Sequence, residues 1–144
     1  MGLTAISLGD ALYRQACHLR YSLFFEPYDL PFDILFDDME SHSLHTGFVE
    51  YDNLVAYGRL TKLKPDSVQI SQMVVDTDYQ RQGLGSLILG EMMSTATTEC
   101  ASDIFLHARL HSVKFYRKHG FSVESDTFFS STTGVPHVVM RYHA

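Results

Sequence analysis

Met73-Val74-Val75-Asp76-Thr77-Asp78-Tyr79-Gln80-Arg81-Gln82-Gly83-Leu84-Gly85-Ser86-Leu87-Ile88-Leu89 is the stretch whose reading decides the fold. Residues 70–75 are rich in apolar and β-branched side chains, which suit a buried strand. Residues 76–82 are polar and without periodicity. From Leu84 the apolar positions fall at Leu84, Leu87, Ile88, Met92 and Ala96, the spacing of one helix face. Gly83 and Gly85 stand where the loop becomes the helix. The first turn of a helix has unpaired N–H groups and the positive end of the dipole. Glycine there lets an anion reach the backbone with no Cβ in the way. The stretch is therefore expected to be a strand–loop–helix cradle for an anion, best suited to phosphate. Other nucleotide motifs fail: there is no G-x-x-x-x-G-K-[ST], and Ile88 stands where G-x-G-x-x-G needs its third glycine.

The pattern Gln80-x-x-Gly83-x-Gly85 resembles the Q/R-x-x-G-x-G/A signature of the GNAT superfamily of N-acetyltransferases. The run from Val75 to Gly85 is similar to that family's V-x-P-x-x-R-G-x-G-I-G. It departs at Thr77, where proline is common, at Gln80, where arginine is commoner, and at Arg81, where glycine is common. The resemblance implies acetyl-CoA as co-substrate. Its pyrophosphate would lie against Gln80, Arg81, Gln82, Gly83, Leu84, Gly85 and Ser86, and its pantetheine along the backbone of Met73, Val74 and Val75. It implies an α/β (α+β) fold, a mixed central sheet flanked by helices. The plainer reading is a strand-to-helix turn that needs glycine only for its dihedral angles.

A second constellation, Phe115-Tyr116-Arg117-Lys118-His119-Gly120-Phe121, resembles the family's (F/L)-Y-x-x-x-G-F in full. The resemblance places Tyr116 beside the thioester sulfur, where a phenol can protonate a departing thiolate. A packing tyrosine is the competing reading. The family often has Asn seven residues upstream. Arg109 stands there in this chain, and a guanidinium could reach a CoA phosphate instead.

Composition sets the outer bounds. With 144 residues and 45% apolar side chains, one domain spanning 1–144 is expected. A formal net charge of -6 argues against nucleic acid as partner. No apolar run is long enough to span a membrane, and no secretory leader stands at the front. Two cysteines, Cys17 and Cys100, suggest a reducing, cytoplasmic setting rather than a disulfide framework. Neither suits a nucleophile, which favours direct transfer over an acyl-enzyme. His42-x-x-His45 and His107-x-x-x-His111 have ligand-like gaps but need not converge, so no metal is expected.

The remaining chain reads as a strand at 3–7, helices at 10–25 and 32–39, and strands at 44–51, 54–63 and 68–75. The cradle helix follows to about residue 100, then a strand at 104–108 and a helix at 112–119 closed by Gly120. Strands at 121–129 and 137–142 end the chain. Asp10 is the candidate N-cap of the first helix, and Glu26-Pro27 its end. This order matches the acetyltransferase fold over nearly the whole chain.

Residues 19–27, Leu-Arg-Tyr-Ser-Leu-Phe-Phe-Glu-Pro, resemble L-R-x-x-V-F-V-x-E-Q of the ElaA-like subgroup. Gly134-Val135-Pro136-His137-Val138-Val139-Met140 resembles its G-I-P-H-x-x-M. Glu26 would then flank the acceptor side, where a carboxylate can bind an ammonium or take its proton. A surface glutamate or a partner of Arg20 is the bland alternative, as a hydrogen-bonded structural histidine is for His137. The expected activity is transfer of an acetyl group to a primary amine, on a small molecule or a peptide. An acyl-CoA-binding sensor, or an interaction module on the same fold, is the competing class. A homodimer stays open.

Overall fold

The computed structural model describes residues 2–143. The chain opens with strand β1 (Gly2–Ile6) and helix α1 (Ala11–Phe24), then runs through short 3₁₀ turns to β2 (Ser43–Glu50), β3 (Asn53–Lys64) and β4 (Ser67–Val75). Helix α2 (Leu84–Thr98), β5 (Asp103–Arg109), α3 (Val113–Lys118), β6 (Phe121–Val123), β7 (Phe128–Phe129) and β8 (Pro136–Tyr142) complete it. One sheet carries the order β1-β2-β3-β4-β5-β8-β6, with β7 also on β8. Among the described residues every strand pairing is antiparallel except that of β4 with β5.

Strand β3 is buried without a break from Leu54 to Thr61. A strand with only one covered face would alternate, so β3 is covered on both. Two apolar clusters account for this. Ala16 of α1 packs with Ile6, Leu54, Tyr57 and Val74. Leu84, Ile88, Leu89, Met92 and Ala96 of α2 pack with Val55, Leu60, Ile70, Leu106 and Met140. Gly58 permits the second contact: a Cβ there would stand 2.6 Å from Met92 Cε and 2.7 Å from Ile88 Cγ2. Helix α2 thus lies close against the strand beside the opening motif.

Two expected elements differ. Of the helix expected at 32–39 only a 3₁₀ turn forms, Phe32–Leu35, and a second such turn, Glu40–His42, follows it. Between them Asp37 Oδ1 accepts from its own chain at Met39 N–H, 3.1 Å, and the carboxylate also receives Arg59. A short acidic side chain bonding nearby backbone competes with a helix ladder. The strand expected at 121–129 is broken into β6 and β7, because Ser125 Oγ takes the Val139 N–H at 2.8 Å in place of a backbone carbonyl. Asp10 does hold the N-cap position of α1, but its carboxylate accepts from Ser7 N–H at 3.0 Å rather than from the helix.

Candidate active site

The site starts from a divergence of strands. Parallel pairing of β4 and β5 covers only Ser67–Ile70 against Asp103–Leu106. Beyond it β5 stays with β8, His107 to Arg109 opposite Val139 to His137, while β4 stays with β3. A bulge enforces the split. Tyr57 pairs with Val74 and Arg59 with Ser71, so Gln72 and Met73 both stand opposite Gly58. Gln72 takes φ 53°, a left-handed conformation that bends the strand. The β5-facing backbone of residues 71–75 is left without a sheet partner, along a cleft of about 810 Å³.

At one end of this edge lies the cradle. The chain leaves β4 through a 3₁₀ turn, Thr77–Tyr79, capped by the Asp76 carboxylate on Asp78 N–H. Gln80 Nε2 donates to Val75 O at 3.0 Å and ties the loop back to the strand end. Arg81 (φ 66°) and Gly83 (φ 81°) are both left-handed, which explains physically why glycine suits these two positions. Gly83 is the N-cap of α2, and a Cβ built on it meets nothing within 4 Å, so the space before the helix is open. Gln80, Arg81, Gly83, Leu84, Gly85 and Ser86 line a second cavity, of about 530 Å³, with Met73, Val74 and Val75. Gln82 is exposed and is not among its lining residues. Open space, unpaired first-turn amides and the adjacent Arg81 fit an anionic group.

Tyr116 of α3 lines both cavities. Its ring packs on Phe115 and Phe121, at centroid distances of 5.1 and 5.9 Å. Among the described residues its hydroxyl has no hydrogen-bond partner. Burial pushes its pKa up to about 12, so the phenol holds its proton at neutral pH.

The other end of the cleft rests on a buried ionic network. Arg20 donates to Glu40 through both Nη atoms at 2.7 Å. Arg59 Nη1 donates to Glu40 Oε1 at 2.9 Å, and its two Nη atoms reach Asp37 at 3.0 and 3.1 Å. Tyr13 O–H adds a fourth donor to Glu40. Arg20 Nε also donates to Gln72 Oε1 at 2.6 Å, so the network holds the bulge. Burial alone would raise the Glu40 pKa. The hydrogen bonds from Arg20, Tyr13 and Arg59, with the Arg20 charge, outweigh it and bring the carboxyl to about 2. Burial pushes His45 below the usual imidazole value, consistent with a neutral ring between Tyr57 O–H and Glu40 O.

Sequence reasoning gave no role to Glu40, Arg59 or Gln72. A signal was present: Arg59 is the one charge within the run Leu54–Leu60, and such a group needs a buried partner. Arg20 takes Glu40, not Glu26. Glu26 is exposed on the 3₁₀ turn Glu26–Tyr28 and lines neither cavity, whereas Phe24 and Phe25 do line the cleft. Arg109 lines the large cleft but not the cradle, its guanidinium 5.0 Å above the Phe24 ring. No group of three or more His, Cys, Asp or Glu among the described residues is arranged to hold a metal ion. No helix among them is long and apolar enough to cross a membrane.

A splayed strand pair joined to a strand–loop–helix cradle defines the class of acyl-CoA acetyltransferase folds. Residues 33–144 match the family model of the acetyltransferase (GNAT) domain, and the chain belongs to that family. It is 26% identical over 135 residues to the uncharacterised N-acetyltransferase YjcF of Bacillus subtilis, covering 94% of this chain and 95% of that one. It is 27% identical to the protein ElaA of Escherichia coli over 126 residues, 85% of this chain and 81% of the other. The crystal structure of Escherichia coli ElaA superposes with a TM-score of 0.84 at 20% identity, over 98% of both chains. An aminoglycoside 6'-N-acetyltransferase complexed with coenzyme A shares the fold, with a TM-score of 0.80 at 13% identity over 98% of this chain and 96% of that one. The protein is an acetyltransferase with a mixed sheet flanked by helices, as the opening motif led one to expect.

A glycine replacement tests the cradle. Gly83→Val is expected to weaken acetyl-CoA binding by at least about tenfold, near 1.4 kcal/mol, while the protein stays folded. A β-branched residue strains the left-handed N-cap and fills the open space before the helix. Calorimetric titration beside a circular-dichroism melt reads both, and an unchanged affinity would remove the phosphate role.

Proposed function

We propose that this protein moves the acetyl group of acetyl-CoA directly to a primary amine. The carrying observation is that the cleft along the unpaired edge of β4 and the cradle cavity adjoin, sharing Met73, Val74, Val75, Gln80 and Tyr116 in their walls. Gly83, Leu84, Gly85 and Ser86 would receive the pyrophosphate on their amides, with Arg81 beside them. Residues 73–75 would pair with the pantetheine amides as a further strand would. The co-substrate supplies an acyl group activated as a thioester. The Met73 N–H would polarise its carbonyl. Tyr116, protonated and without a partner among the described residues, would donate to the leaving thiolate. Much of the acceleration would come from holding amine and thioester in line.

The acceptor side supports a cationic amine through Asp33 rather than Glu26. Asp33 and Asp37 both line the cleft, and Asp37 is neutralised by Arg59. Asp33 has no ion pair among the described residues. Such a charge concentrates an ammonium near the site, more weakly in high salt.

The deciding experiment is in two stages: calorimetry with acetyl-CoA, then thiol release from it against an amine library. Binding with amine-dependent release supports the transferase. Binding without release supports an acyl-CoA sensor instead. No binding removes both.

A further inference from the structure

We infer that His137 is the proton acceptor for the attacking amine, an assignment that rests on the transferase reading above. Three histidines line the cleft: His107, His111 and His137. Of these three only His137 has a ring hydrogen bond to a described residue, Nδ1 to Val135 O at 2.8 Å. A carbonyl oxygen only accepts, so Nδ1 carries the hydrogen. In the neutral ring Nε2 is then the bare nitrogen, with its lone pair free. The backbone bond thus does for this ring what a carboxylate does for a general-base histidine elsewhere: it selects the tautomer and holds the plane.

The ring is also fixed from its sides. His137 pairs with Arg109 on β5 and with Phe128 on β7. It stacks on Phe128 at 5.9 Å and 24°, and His107 meets the other edge of that ring at 5.2 Å and 79°. Burial, and then the His137 charge, lower the pKa of His107, which keeps that neighbour neutral when His137 takes a proton.

Two carboxylates nearby are already committed, and Asp33 is assigned above to holding the ammonium. Glu40 is buried and receives four donors, and Asp37 is held by Arg59 and Met39 N–H. Imidazole is the side chain whose basicity lies nearest neutral pH, where a general base works best.

In the step, the neutral amine's lone pair forms the N–C bond to the thioester carbon. The C–S bond breaks with its electrons on sulfur. The proton shed by nitrogen passes to His137 Nε2, Tyr116 O–H supplies one to sulfur, and solvent returns both side chains to their starting forms. No redox partner is needed.

The test uses two variants and one spectrum. In His137→Asn the amide nitrogen stands about where Nδ1 did and keeps the donor to Val135 O, without a base. In His137→Ala both are gone. Thiol release from acetyl-CoA is measured with benzylamine, spermidine and lysine amide, and with aniline, which is already neutral in the assay. Both variants are expected to lose about 10²-fold in kcat for every amine, aniline included because its nitrogen also sheds a proton once the N–C bond forms, with acetyl-CoA affinity unchanged. Recovery of full turnover in His137→Asn would make the histidine structural and overturn the inference. Side-chain ¹⁵N spectra of the wild-type protein saturated with acetyl-CoA should show a bare Nε2 and a protonated Nδ1 at neutral pH. The opposite tautomer overturns it irrespective of any acceptor. If wild-type protein binds acetyl-CoA and releases no thiol with any amine, the transferase reading itself has failed, a result distinct from unaltered turnover in the variants.

Discussion

Glu40→Ala is expected to destabilise the protein by about 3–5 kcal/mol, because it leaves two buried guanidinium groups without their shared carboxylate. Arg20 is fully buried and Arg59 is 2% exposed, so neither can recover the loss by turning to water. Arg59 retains Asp37, but Arg20 retains only Gln72 and the face of Tyr57, 4.8 Å away. The loss of Glu40 also frees Tyr13 O–H. Urea unfolding of both proteins reads the change, and a shift below about 1 kcal/mol would mean that the network is solvated rather than buried. Acid gives the same group a second test. Its pKa falls from an ordinary 4.5 to about 2 in the folded chain. A folded value below the unfolded one means stability that is complete above about pH 4.5 and lost as pH falls toward 2. Wild-type stability should therefore drop steeply across that window, and the Glu40→Ala protein much less.

Tyr116→Phe should lower kcat by about 10²-fold or more, with acetyl-CoA affinity little changed. Phenylalanine keeps the ring contacts with Phe115 and Phe121, so packing is preserved. The hydroxyl has no protein partner among the described residues, so its removal leaves no buried donor or acceptor unpaired. Stability should thus stay within about 0.5 kcal/mol, which separates a chemical role from a structural one. The raised pKa of the phenol also means that its own ionisation should not lower turnover anywhere near neutral pH. Equal turnover in the two proteins would assign the thiolate's proton to water and Tyr116 to packing.

The cradle was legible in sequence because its causes are local. A β-branched run, an unpatterned polar loop, two glycines and a helical repeat each act within a few residues of themselves. The left-handed angles of Arg81 and Gly83 belong to that same local chemistry. Tyr116 was singled out only through its resemblance, since a Tyr one turn before a C-terminal glycine cap has no local signature of its own. Its position at the junction of two cavities depends on where α3 docks.

What the sequence could not reach lies where distant segments share one charge or one edge. Glu40 is 20 residues from Arg20 and 19 from Arg59, and only the stacking of α1, the 3₁₀ turns and β3 brings them together. That pull also melted the helix expected at 32–39, since Asp37 turned inward to Arg59. Glu26 had the right charge just past the right helix, yet it stands exposed on a 3₁₀ turn and lines neither cavity. The cleft itself is a register effect: Gln72 and Met73 share one partner residue on β3, and the strand bends away from β5. Local propensity determined the strand, the loop and the helix of the opening motif. Tertiary packing alone decided which backbone amides were left free along β4, because a hydrogen bond is withheld only where a neighbouring strand has been carried out of reach.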